Sequence, residues 1–139
     1  MDTIVVGYDG SEYSDRALDR AVEIAKAMGA GLRVVSAVKV GQAAHARSGG
    51  VGPVDPGDAE DLAEALEKGR GRLADVGVQV QMVEGHGDAA DVIVSDAKDH
   101  DARLIVVGTH GKHFAQRVLQ GSVSTKVAQQ AHCDVLIVR

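Results

Sequence analysis

Residues 103–139 read RLIVVGTHGKHFAQRVLQGSVSTKVAQQAHCDVLIVR, in which two apolar runs enclose a glycine-rich turn and a polar segment. The runs at 103–108 and 134–138 predict buried β-strands, because nearly unbroken apolar strands are typical of a sheet covered on both faces. Between them we expect a helix from near Ser122 to near Ala131. This order of strand, helix and strand is that of a parallel α/β unit, whose crossover is right-handed.

The same alternation runs through the rest of the chain. Apolar residues recur at three- and four-residue steps in the helical segments, and β-branched residues dominate the strands. We expect Ser14 and Asp88 to be N-caps and Gly29 to end the first helix. The remaining predicted elements are, in chain order, a strand at 3–8, a helix at 14–28, a strand at 32–38, a helix at 58–75, a strand at 78–84 and a helix from 88 to about 99. Residues 1–139 thus form one α/β domain with five parallel strands.

One segment breaks the pattern. Residues 41–57, GQAAHARSGGVGPVDPG, are rich in glycine, contain both prolines and show no periodicity. A loop of this length is uncommon inside a compact domain unless it has a function of its own. We therefore expect a mobile loop here, with a flap over a site as one role for it.

Composition excludes several classes of protein. The net charge of −5 argues against a general nucleic-acid binder. Five basic residues and one acid lie within 102–139, so an anion meets less repulsion there than in the acidic remainder. A single cysteine cannot form an internal disulfide, which fits a reducing compartment. The sequence shows no apolar run of the roughly 20 residues that span a bilayer and no basic leader. We expect a cytoplasmic protein without a membrane partner.

The motif most suggestive of function is Gly108-x2-Gly111-x9-Gly121-Ser122. Gly108 ends a buried strand, and ligands of α/β sheets bind at the carboxyl ends of strands. Glycine at 108 and 111 permits positive φ and close approach of the backbone to a ligand. Gly121-Ser122 opens a helix, whose N–H groups and dipole attract phosphate. The polar side chains that we expect to assist are Lys112, Ser122 and Ser124.

This motif differs from two better-known phosphate loops. A Walker A loop needs glycine five residues before its Gly-Lys pair, and position 106 is valine. A Rossmann GxGxxG set does not follow the first strand. Taken by spacing alone, the glycines remain open to another interpretation, as three turn residues and an ordinary helix cap.

The whole chain resembles the universal stress protein family. The resemblance rests on VVGYDGSEYSDRALDRAVEIA at the start, GDAADVIVSDA in the middle and VVGTHGKHFAQRVLQGSVSTKVAQQAHCDVLIVR at the end. The glycine motif matches, without a gap, the one that marks the ATP-binding branch of that family. The resemblance implies a Rossmann-like, adenine nucleotide α-hydrolase-like sandwich with strand order 3-2-1-4-5, helices on both faces, and usually a dimer.

The resemblance also implies a nucleotide site. Asp9 matches an acid that meets the ribose or adenine, and Gly7 a backbone position beside the base. Ala37, or Val38 if the alignment slips by one residue, matches the position that reads the adenine edge. The other positions that the resemblance and the motif assign to the ribose and phosphates are Val107, Gly108, Gly111, Lys112, Gly121, Ser122, Val123 and Ser124.

Several alternatives stay open. We expect ATP, with Mg²⁺ or Mn²⁺ as a further possibility, bound by a regulatory protein of the stress response. A slow ATP-hydrolysing enzyme is the second reading, and an interaction module with another adenine nucleotide or none is the third. Asp9 could act as a general base, bind Mg²⁺ or only cap a turn. His110 and His113 could bind a metal, although loop histidines near phosphate fit better. Cys133 reads as a quiet, mostly buried thiol.

The last strand also suggests how the protein assembles. In the order 3-2-1-4-5 the third and fifth strands are the edges of the sheet. Residues 134–138 carry four apolar residues in succession, and an open apolar edge invites pairing with another chain. We expect a homodimer in which this strand lies antiparallel to its twin across a two-fold axis. Cover by a loop or by the second helix is the alternative.

Overall fold

The fold was described from a computed structural model, which describes residues 1–38, 56–111 and 121–139. In these ranges strands and helices alternate, as the sequence pattern predicts. The elements are β1 (Thr3–Gly7), α1 (Glu12–Met28), β2 (Gly31–Val38), α2 (Pro56–Arg72), β3 (Val80–His86), α3 (Ala89–Asp99), β4 (Leu104–Gly108), α4 (Ser122–Gln130) and β5 (Asp134–Val138).

The five strands form one parallel sheet in the order β3-β2-β1-β4-β5, which confirms the expected topology. β1 lies at the centre, and its residues Ile4, Val5 and Val6 are fully buried. Because side chains alternate along a strand, Ile4 and Val6 face one side of the sheet and Val5 the other. The sheet thus needs a cover on both faces.

Each face of the sheet packs against its own pair of helices. Ile4 and Val6 belong to a core cluster that includes Leu18 of α1 and Ala65 of α2. The opposite face is covered by α3 and α4, which contribute residues such as Ile93 and Val127. The helices on both faces are therefore where the alternation of strands and helices predicts them.

Both ends of α1 are capped, but the N-terminal cap differs from the prediction. Ser11, not Ser14, is the N-cap, and its hydroxyl accepts a hydrogen bond from the Ser14 N–H at 3.2 Å. Strand β1 already ends at Gly7, so the chain can turn and enter the helix earlier than the apolar pattern indicates. Gly29 ends the helix in the left-handed conformation, as predicted.

The other boundaries shift by a few residues. α2 begins at Pro56 and ends at Arg72 rather than spanning 58–75, since the chain turns away at Asp75, whose φ is 59°. β3 is shifted two residues along the chain, to Val80–His86. Asp88 caps α3 as predicted, and its carboxylate accepts the Asp91 N–H. Residues 39–55, most of the predicted mobile loop, lie outside the described residues.

None of the helices within residues 1–38, 56–111 and 121–139 combines the length and the apolar character needed to cross a bilayer.

Candidate functional site

A cleft opens where three neighbouring strands end. β2, β1 and β4 are adjacent in the sheet, and their carboxyl ends form the floor of this cleft. Its volume is about 530 Å³, counting the solvent at its open mouth. The chain runs from β1 to β2 on one side and reaches β4 on the other, so the cleft lies at the switch point of the sheet, where ligands of open α/β sheets bind.

The turn between β1 and α1 forms one wall of the cleft and holds Asp9. One carboxylate oxygen of Asp9 accepts the Ser11 N–H at 2.9 Å. The Asp9 N–H in turn donates to the Ser14 hydroxyl, which itself donates to the Ser11 carbonyl. Asp9 therefore caps its own turn, which was one of the roles expected for it. It also lines the cleft.

The glycines of the motif are required by contacts within the protein. Neither Gly108 nor Gly111 has positive φ, so that part of the sequence prediction was wrong. A Cβ atom on Gly108 would lie 2.9 Å from backbone and side-chain atoms of Tyr13, and one on Gly121 would lie 2.7 Å from the Thr109 carbonyl oxygen. Here glycine lets two backbone segments touch each other at the rim of the cleft.

One hydrogen bond joins the two ends of the motif. The Gly121 N–H donates to the Thr109 carbonyl, and the Thr109 N–H donates to the Val138 carbonyl at the end of β5. The start of α4 is thereby fixed beside the end of β4. Gly111 and Gly121 therefore line the same cleft, although nine residues of sequence separate them.

The first turn of α4 lies along the cleft. Gly121 is the N-cap and provides no side-chain cap, and it lines the cleft together with Val123 and Ser124. Ser124 is buried, and its hydroxyl lies 2.9 Å from the Gly121 carbonyl and 3.2 Å from the Thr109 carbonyl. In this structure the hydroxyl forms hydrogen bonds with these backbone carbonyls, and its role as a donor to phosphate stays a prediction.

The structure brings together most of the residues that the sequence singled out. Val38 does not line the cleft, whereas Ala37 does. Ser122 is exposed and does not line it either, and Lys112 lies outside the described residues. The predicted residues that do line the cleft are Gly7, Asp9, Ala37, Val107, Gly108, Gly111, Gly121, Val123 and Ser124.

Other lining residues were not assigned to the nucleotide site from the sequence, although His110 was expected near phosphate. The sequence could have indicated only some of them. Thr109 and His110 lie within the glycine motif, whereas Val35 and Ile93 look like ordinary core residues. The additional lining residues are Tyr8, Ser14, Val35, Ala89, Ile93, Thr109 and His110.

The cleft carries little side-chain charge among the described residues. Asp9 is its one carboxylate there, and no lysine or arginine of the described ranges lines it. Those ranges also contain no group of three or more His, Cys, Asp or Glu side chains placed to hold a metal ion. His113, the second histidine of the predicted metal pair, lies outside them. Among the described residues, an anion would therefore depend on neutral hydroxyl and backbone donors and on His110 rather than on lysine or arginine.

His110 is held at the rim by aromatic contacts. Its ring meets the Tyr13 ring edge to face, with centroids 5.0 Å apart. The Arg16 guanidinium lies 4.9 Å from the Tyr13 centroid, in cation–π geometry. Arg16 also donates to the Arg139 carbonyl at 2.9 Å. The rim of the cleft is thus connected through α1 to the last residue of the chain.

Comparison with known proteins gives this geometry a context. The model of the universal stress protein family matches residues 1–139. Universal stress protein YxiE of Bacillus subtilis is 32% identical over 144 residues, which cover 98% of this chain and 97% of that protein. UspA from Lactobacillus plantarum, a solved structure, has a TM-score of 0.81 at 27% identity and covers 99% and 97% of the two chains.

A further solved structure adds a ligand. It is described as a universal stress protein in complex with cAMP, and it has a TM-score of 0.73 at 32% identity, covering 99% of this chain and 97% of that one. Sequence, fold and full-length coverage agree in all of these comparisons. The chain therefore belongs to the universal stress protein family.

Proposed function

We propose that this protein binds an adenine nucleotide, ATP, in the cleft at the carboxyl ends of β1, β2 and β4, and that the bound nucleotide regulates its state in a stress response. The observation that carries the proposal is the start of α4 beside the end of β4: the Gly121 N–H donates to the Thr109 carbonyl, and both residues line the cleft. A helix N-terminus attracts phosphate through its N–H groups and dipole.

The walls of the cleft suit a nucleoside. Ala37, Val35 and Ile93 provide an apolar surface on which a flat base can lie, and Asp9 supplies a carboxylate for a ribose hydroxyl or a base N–H. A relative that is 32% identical is described in complex with cAMP, which supports an adenine nucleotide as the ligand class.

That relative also favours a second candidate within the class. A cyclic nucleotide carries one phosphate charge, and the described lining of the cleft has no lysine or arginine to balance the charge of a triphosphate. The sequence does place Lys112 and Arg117 between the two ends of the motif. ATP is therefore our first proposal, and cAMP is the ligand against which it must be compared.

Two measurements test the proposal. Mass spectrometry of nucleotide released from freshly purified, denatured protein should detect ATP; recovery of ADP or AMP would favour turnover or another ligand. Titration calorimetry with ATP, AMP, cAMP and adenosine should then rank the ligands, with GTP as the control for the base. If no adenine nucleotide binds, or if GTP binds as well as ATP, the proposal is wrong.

A further inference from the structure

A buried carboxylate behind the cleft joins two helices. Asp15 lies in the first turn of α1 and is 9% exposed. The Tyr8 hydroxyl donates to one of its oxygens at 2.7 Å, and the Lys68 ammonium donates to the other at 2.8 Å. Burial, and then the hydrogen bond to Asp15, raise the pKa of Tyr8, so its hydroxyl keeps the proton that it donates. A third partner, Arg72, lies 3.7 Å from Asp15 and also pairs with Asp19.

Lys68 makes a second contact that Arg72 does not. Its ammonium also donates to the Gly10 carbonyl at 2.8 Å. Gly10 has a φ of 84°, a conformation that favours glycine, and Ala65 of the same helix packs against it. One lysine of α2 thus holds both the turn between β1 and α1 and the carboxylate that follows this turn.

This turn presents Asp9 to the cleft. Asp9 immediately precedes Gly10, and its carboxylate accepts the N–H of Ser11, which immediately follows. A shift of the Gly10 peptide would therefore move both the acceptor and the donor of that bond. The carboxylate also lies against Gly111, where a Cβ atom would be 3.2 Å from it. The placement of Asp9 therefore depends on a turn that α2 holds from behind.

We propose that Lys68 is a positioning residue for the nucleotide site: by bridging the Gly10 carbonyl and Asp15, it fixes the turn that places Asp9 in the cleft. The expected effect of Lys68 on nucleotide binding rests on the proposed function. Its effect on the turn that holds Asp9, the structural half of the proposal, does not. Lys68 does not line the cleft, so it acts on a ligand only through this turn. Helix α2 is thereby coupled to the affinity of the site.

The alternative is that Lys68 only balances the charge of Asp15. Arg72 provides the matched control, because it also pairs with Asp15 but makes no contact with Gly10 among the contacts described. We would compare Lys68→Met with Arg72→Met. Methionine keeps the apolar stem of either side chain and removes its charge. Urea unfolding of both variants would measure their loss of stability.

The first readout needs no nucleotide. Amide hydrogen exchange, followed by NMR, reports the opening of the bond between the Ser11 N–H and Asp9. In Lys68→Met this amide should exchange roughly tenfold faster, the lower end of what loss of one hydrogen bond to a charged group produces. In Arg72→Met its rate should stay within about twofold of the wild type. Equal rates in the two variants would overturn the structural half of the proposal.

The second readout is affinity by titration calorimetry. Lys68→Met should bind ATP and adenosine each roughly tenfold more weakly, because Asp9 is proposed to meet the nucleoside. Arg72→Met should bind both as the wild type does, whatever stability it loses. If the two variants lose affinity equally, or if neither does, the proposal for Lys68 is wrong. If the wild type binds no adenine nucleotide, the proposed function fails instead, and exchange at Ser11 still decides whether Lys68 holds the turn.

Discussion

Replacing Gly121 by alanine is the most direct test of how the motif is built. The φ of Gly121 is −67°, which alanine adopts readily, so the backbone conformation itself adds no strain. The added Cβ atom, however, would lie 2.7 Å from the Thr109 carbonyl oxygen and 3.1 Å from the His110 Cα. Both neighbours are backbone atoms, which cannot move aside as a flexible side chain can.

The magnitude follows from these contacts. Forcing an extra methyl group into a well-packed region costs about 1–3 kcal/mol. If the segments separate, the bond from the Gly121 N–H to Thr109 is also lost, which adds about 0.5–1.5 kcal/mol. We expect the free energy of unfolding to fall by about 1.5–4.5 kcal/mol. A domain whose free energy of unfolding is about 5–15 kcal/mol can lose this much and stay folded. Affinity for ATP should fall more than affinity for adenosine, because the start of α4 is displaced.

Urea unfolding and titration calorimetry on the folded variant provide the assay. Gly71→Ala is the matched control, since Gly71 lies in α2 and a Cβ there would meet nothing within 4 Å. The control should gain about 0.5–1 kcal/mol, the ordinary preference for alanine in a helix. A Gly121→Ala protein with the stability and ATP affinity of the wild type would refute the close contact on which this reasoning depends.

Three further predictions concern other parts of the chain. Asp9→Ala should weaken ATP and adenosine alike by about 1.5–3 kcal/mol in calorimetry, and a variant that loses ATP but keeps adenosine would show that Asp9 acts on phosphate or metal. The wild type should have the mass of a dimer in light scattering, and the double variant Leu136→Lys, Val138→Lys should be a monomer. Both side chains also contact the core, so the double substitution disturbs more than the edge of the sheet. A monomeric wild type is therefore the decisive contrary result. Burial, followed by the charge of Asp134, raises the pKa of Cys133, so less thiolate exists near neutral pH and alkylation should be slower than for free cysteine; an equal rate would contradict this.

The sequence predicted those features that local chemistry determines. Apolar runs located the strands, and Asp88 and Gly29 marked helix ends because a cap depends on residues within one turn of it. Ser11 was missed as the cap of α1 because Ser14 is an equally good acceptor by residue type. The choice between them depends on where β1 ends and on the turn at Gly10, which the apolar pattern does not define.

The sequence predicted the site residues that lie close to one another along the chain. It did not predict those that only the fold brings together. The glycine motif found Gly108 and Gly121 by spacing, but it did not reveal their close contacts with Tyr13 and Thr109, which depend on the fold. Ile93 carries no sequence signal of a cleft, because a residue that lines a cavity and one that fills a core look alike. The pairing of Lys68 with Asp15 joins residues more than fifty positions apart, and only the packing of α2 on α1 reveals it.

The central position of β1 has a consequence for the order in which the protein folds during synthesis. β1 pairs with β2, which follows it closely, and with β4, where Val5 meets Ile105. Until β4 leaves the ribosome, one edge of this buried central strand has no partner. Such an edge is prone to aggregation, and a parallel pairing between distant segments forms slowly. A nascent chain stalled before Leu104 would therefore depend on chaperones, although three of its five strands had already been synthesised.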